Sequence, residues 1–157
     1  MRPVLVSVAA MIAAAAAVQA AEVPPTAVEP DDYGAVATPL ADQPGDPERG
    51  REVLISRSLG NCVACHAAED YSDVQWHGEV GPALDGVGDR WGEAELRGIM
   101  VNAKNIFPET IMPAFYKTEG FVRPGDAYSG EPAGDDLPPL LSAQQVEDVV
   151  AYLMTLK

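Results

Sequence analysis

The repeated apolar spacing in this chain is helical throughout. It is clearest from Ser142 to Leu156, where Val146, Val149, Val150, Leu153 and Met154 fall on one face of a helix. Ser142, with Gln145 three residues on, supplies a capping box for its start. Leu96, Ile99 and Met100 predict a shorter middle helix over residues 93–102. Asp46-Pro47 pairs an N-cap with a proline at the first helical position, and Val53 and Leu54 follow. That predicts a first helix ending near Gly60. Residues 67–90 carry glycines at 78, 81, 86 and 88 without a sustained period and read as a loop. Residues 117–139 are broken repeatedly by Gly, Pro and Asp and read as a surface insertion. The pattern as a whole predicts an all-α domain of a few helices.

The two ends divide the chain further. Residues 1–20 hold Arg2, an apolar run from Val4 to Val18, and small residues before a cleavage point after Ala20, the pattern of a secretory signal peptide. The run is shorter than the ~20 residues of a spanning helix. It predicts export and a soluble periplasmic product with no membrane span. Residues 21–45, rich in Pro, Ala and acids, predict an extended arm, either disordered or lying along a partner. Residues 46–157 then form one domain. The formal net charge of -14 disfavours nucleic acid and anionic membranes as partners. It serves either solubility or the steering of a basic partner surface.

The chemistry of the domain is announced by Cys62-Val63-Ala64-Cys65-His66. C-x-x-C-H is the pattern of covalent haem attachment: two thiols one turn apart add to the vinyl groups of one porphyrin, and the following histidine binds the iron. A structural zinc site needs four ligands, whereas the chain offers no other cysteine and only one other histidine, His77. A redox-active C-x-x-C belongs with alternating strands and helices, which the helical spacing does not provide. The expected cofactor is one haem c. In a chain this short the porphyrin would form a large part of the core, so the apoprotein is expected to be largely unfolded.

A haem iron with one histidine has a second ligand or an open site. Met100 and Met154 fall on apolar helix faces, where methionine is usually core filler. Met112, in the loop Ile111-Met112-Pro113-Ala114-Phe115, has a proline to restrain it and an aromatic to seal the pocket. Met112 is the expected second ligand, with His77 as the alternative. Gly81-Pro82 is either an ordinary turn or the source of a carbonyl for the proximal imidazole N–H. Arg90 and Trp91 are candidates to hydrogen-bond a haem propionate, or else serve packing and surface charge.

Taken together, Gly60-Asn61-Cys62-Val63-Ala64-Cys65-His66, Gly78-Glu79-Val80-Gly81-Pro82-Ala83-Leu84, Met112-Pro113-Ala114-Phe115 and Val146 through Leu153 resemble the SoxX family. The resemblance runs from about Gly60 to the C-terminus, and the 117–139 insertion is its least similar part. It implies a class I cytochrome c fold and a periplasmic heterodimer with a monohaem or dihaem SoxA-like cytochrome. That complex, an L-cysteine S-thiosulfotransferase, conjugates thiosulfate to a cysteine of the carrier SoxYZ. In the family the catalytic haem belongs to SoxA, and the SoxX haem passes electrons to a downstream cytochrome. The competing expectation is a free class I cytochrome that shuttles electrons and belongs to no enzyme.

Overall fold

Asp46 starts the first helix. Its carboxylate accepts the backbone N–H groups of Glu48 and Arg49 at 2.9 and 3.2 Å, and Pro47 takes the first helical position. The computed structural model, which describes residues 22–125, 129–134 and 136–157, gives this helix, α1, as Pro47–Ile55. The expected signal peptide lies outside the described residues. Helix α1 stops before Gly60 because Ser56 turns to extended geometry, and Gly60 N–H and Asn61 N–H then fold back onto the carbonyls of Val53 and Ser56. Three helices follow: α2 (Val87–Arg90), α3 (Glu93–Asn102) and α4 (Ala143–Leu153). Gly92 N–H is capped by the Glu95 carboxylate, and Ser142 and Gln145 form the reciprocal box expected for α4. Among the described residues there is no strand, only an isolated bridge between Gly125 and Pro132. No described helix is long and apolar enough to cross a membrane.

Helices α1 and α4 cross in direct backbone contact. A Cβ on Gly50 would sit 1.9 Å from the Asp148 carbonyl oxygen and 2.8 Å from the Tyr152 Cβ, so only glycine permits this approach. Val146, Val149, Val150 and Leu153 of α4 fill the core beside Val53 and Leu54 of α1 and Leu96 and Met100 of α3. Gly50→Val is therefore expected to force the helices apart and destabilise the holoprotein by about 2–4 kcal/mol, read as a fall in the denaturant midpoint. An unchanged midpoint would contradict this packing.

An ion pair clasps the same crossing. Arg49 donates through Nε and Nη2 to both oxygens of Asp148 at 2.9 and 3.0 Å, and Asp46 N–H and Gln144 Nε2 donate to the same carboxylate. Burial alone would raise the Asp148 pKa, but the hydrogen bonds from Arg49, Asp46 and Gln144 outweigh it and hold the group below the ordinary carboxylate value. Its folded pKa is thus the lower one. The stabilisation it provides is in place above about pH 4 and is lost as pH falls through the folded value. Melting temperature measured against pH should drop more steeply on the acid side in the wild type than in Asp148→Asn. Parallel curves would contradict the clasp.

Residues 22–45 do not wait for a partner. They run along the chain's own helices, with short turns at Pro25–Ala27 and at residues 31–34, and bury Val36, Leu40 and Ala41. Arg97, 2% exposed, donates to both oxygens of Glu147, itself 5% exposed, and to the Val36 carbonyl. Glu147 also accepts Leu40 N–H at 2.8 Å, while Tyr116 donates its hydroxyl to the Val23 carbonyl. These partners come from α3, α4 and the 112–116 loop, elements that no local spacing within residues 22–45 could reveal.

Candidate haem site

The attachment motif is a single tight turn, Cys62–Ala64, entered through Asn61 in left-handed conformation (φ 47°). Cys65 N–H and His66 N–H both return to the Cys62 carbonyl, at 3.0 and 2.9 Å, which brings the two cysteines onto one turn. Both thiols are free and half-buried. Burial pushes the Cys62 thiol up to about 12, so in the unattached polypeptide it is protonated at neutral pH. This is the reverse of what a thiolate nucleophile in a dithiol oxidoreductase requires.

His66 has its ring fixed from behind. Its Nδ1 lies 2.7 Å from the Pro82 carbonyl oxygen. A carbonyl only accepts, so Nδ1 is the donor, and in the neutral ring this tautomer leaves the lone pair on Nε2. Of the two readings of Gly81-Pro82, the structure gives the carbonyl contact. Gly81 makes it possible: a Cβ there would lie 2.3 Å from Cε1 of the imidazole, and Gly81 N–H is bonded to the Cys65 carbonyl at 2.7 Å. Leu84 N–H binds the Ala67 carbonyl at 2.8 Å, closing the loop against the attachment segment. Buried Tyr71 adds a hydroxyl contact to the His66 carbonyl at 3.3 Å.

Met112 lies on a separate loop that α3 and the start of α4 hold in place. Its N–H binds Thr110 Oγ1 at 3.1 Å, and its side chain is half-buried against the core. The next residues are pinned by Phe115 N–H to the Met100 carbonyl, Tyr116 N–H to the Val101 carbonyl and Leu141 N–H to the Phe115 carbonyl. Met100 is inside the core at 2% exposure, and Met154 sits at the C-cap of α4. His77 packs edge-on against Tyr71 with ring centroids 5.3 Å apart, and its neighbour Gly78 donates to the Val63 carbonyl of the attachment turn. The histidine offered as the alternative ligand is thus placed beside His66's own segment. Trp91 stands edge-on to Phe107 at 5.9 Å. Arg90 donates to the carbonyls of Asp85 and Ala83, two contacts that neither motif nor spacing had suggested.

The donor chemistry suits a haem c. Two free thiols share one turn, an imidazole has its Nδ1 engaged so that Nε2 is its other ligating atom, and a thioether stands on a restrained loop. Apolar Val80, next to Gly81, and Ile111, next to Met112, are 69% and 77% exposed. Among the described residues no three His, Cys, Asp or Glu side chains converge as a metal-ion site would require.

Helical elements joined by loops, a crossing of the first and last helices and a C-x-x-C-H turn facing a proline loop define a class I cytochrome c. A family model described as Cytochrome c matches residues 47–157. A chain of the crystal structure of SoxXA from P. pantotrophus superposes with a TM-score of 0.82 at 52% identity, covering 87% of this chain and 99% of that one. No curated protein matches the chain. The chain belongs to the cytochrome c family and, within it, to the SoxX family of haem electron-transfer proteins, whose haem c is covalently bound.

Proposed function

We propose that this chain is the electron-transfer subunit of a periplasmic two-cytochrome complex of the SoxXA kind, working in thiosulfate oxidation beside a SoxA-like partner. The reading is carried by the 52% identity to a chain of the P. pantotrophus SoxXA structure, spanning 99% of that chain. Residues 1–20 direct export and are removed, leaving the arm of residues 21–45 and the cytochrome domain of 46–157. When bound, a single haem c supplies a one-electron iron couple. Cys62 and Cys65 would hold it by thioether bonds, and His66 Nε2 and Met112 would ligate its iron. Pro82, by accepting the Nδ1 proton of His66 in a hydrogen bond, fixes the ring's orientation and strengthens its basicity. Arg90 and Trp91 are candidate propionate contacts.

The division of labour follows from the cysteines. Joining thiosulfate to the cysteine of a carrier such as SoxYZ makes a sulfur–sulfur bond, loses the thiol proton and releases two electrons. The only cysteines in this sequence are Cys62 and Cys65, both committed to attachment. The thiosulfotransferase site therefore belongs to the partner, and this chain takes the electrons onward, one at a time, to a downstream cytochrome. Its acidity favours an acceptor with a basic docking face.

Native purification from a periplasmic extract, with mass determination and haem counting, tests the reading. Stoichiometric recovery with a larger c-type cytochrome is expected. Recovery as a lone monohaem monomer would overturn the subunit role and leave a diffusible electron carrier.

A further inference from the structure

We infer that Arg90 is a positioning residue for the iron-binding imidazole, acting through the loop that carries Pro82. The inference rests on His66 being the proximal ligand. Arg90, the last residue of α2, turns its guanidinium back over residues 81–86. Nη1 donates to the Asp85 carbonyl at 2.6 Å and Nη2 to the Ala83 carbonyl at 3.1 Å. Ala83 directly follows Pro82, whose own carbonyl holds His66 Nδ1 at 2.7 Å.

The rest of the loop is tied by its amides. Gly81 N–H and Leu84 N–H bind the Cys65 and Ala67 carbonyls, and Glu69 N–H binds the Asp85 carboxylate at 2.8 Å. Those bonds attach one side of the loop to the segment it must orient. Arg90 attaches the other side to a fixed frame, because α2 is anchored at Gly88, whose N–H binds the Leu156 carbonyl at 2.9 Å and whose carbonyl accepts Lys157 Nζ at 2.6 Å. The C-terminal end of the chain thus bears on His66 through Gly88, Arg90 and Pro82 in turn. A planar fork can span two carbonyls at once; a lysine ammonium on a flexible stem does not reproduce that geometry. A slack Pro82 carbonyl would hold Nδ1–H less firmly and make the imidazole a weaker donor, which disfavours ferric iron and raises the potential.

This role is separable from a charge effect on a haem propionate. Arg90→Lys keeps the charge and loses the fork; Arg90→Gln loses both. In the mature holoprotein, the solvent exchange of the axial-histidine Nδ1 proton is followed by NMR alongside the reduction potential. Exchange is expected to be about tenfold faster or more in both variants, in keeping with a weakened hydrogen bond. The potential of Arg90→Lys is expected to rise. Wild-type exchange in both variants would overturn the inference, as would a potential that moves only in Arg90→Gln. If Arg90→Gln yields no holoprotein, Arg90→Lys alone decides. A wild-type spectrum without an axial-histidine Nδ1 proton from His66 would instead overturn the ligand assignment.

Discussion

Replacing both Cys62 and Cys65 with alanine is expected to reduce covalent haem to background and leave a chain without cooperative structure. The first half follows from the turn itself, because the two cysteines share it through the Cys62 carbonyl and the sequence holds no third cysteine to substitute. The second half concerns where the apolar surface lies. The α1–α4 crossing and the flank of α3 bury their own side chains, yet Val80 and Ile111, next to the two candidate ligands, remain 69% and 77% exposed. Net stability is a small difference between large terms, so leaving such apolar surface open to water can unfold a domain of this size. Haem staining after denaturing electrophoresis and circular dichroism of the purified chain read the two parts. Native-like helical signal with cooperative melting in the haem-free variant would show that the polypeptide core suffices alone.

Met112→His should leave the iron low-spin but lower its reduction potential, by an amount on the order of a few tenths of a volt within the ~0.8 V range that axial ligands span. A thioether favours ferrous iron relative to a second imidazole, so the direction is fixed by ligand chemistry. Its loop is held by Thr110, Met100 and Leu141 independently of the Met112 side chain, so the substitution should not move the backbone. Met112→Ala, in the same frame, should open the iron to exogenous ligands such as cyanide or carbon monoxide. Potentiometric titration with optical detection checks both. A wild-type potential and spectrum in either variant would remove Met112 from the iron.

How much of this was legible beforehand depends on the range of the signal. Helices α3 and α4 and the start of α1 were written locally: Asp46-Pro47, the Ser142–Gln145 box and the apolar spacing on α4 each specify structure within a turn or two. The attachment turn was equally local. The end of α1 was not, because Gly60 and Asn61 fold back on Val53 and Ser56 through backbone bonds that leave no side-chain pattern. The packing of the arm was hidden for a related reason. Val36 and Leu40 are buried by partners 50 or more residues away, held by the Arg97–Glu147 pair, and a proline-rich composition gives no hint of it. Arg90 shows the same limit at the site. As a lone cation near a predicted haem it suggested a propionate; its contacts to the Ala83 and Asp85 carbonyls are additional to that reading and depend on a loop fold that spacing does not encode.

In the proposed site, Cys62, Cys65, His66 and Met112 hold one electron-transferring haem. Intact mass determination of the mature exported chain, with optical spectra of its oxidised and reduced forms, addresses it most directly. The expected result is a mass equal to the chain from Ala21 plus one covalent haem, and a low-spin spectrum whose ferric form shows the long-wavelength sulfur-to-iron band. A mass equal to the bare polypeptide, or a high-spin iron that binds added ligands at rest, would contradict it.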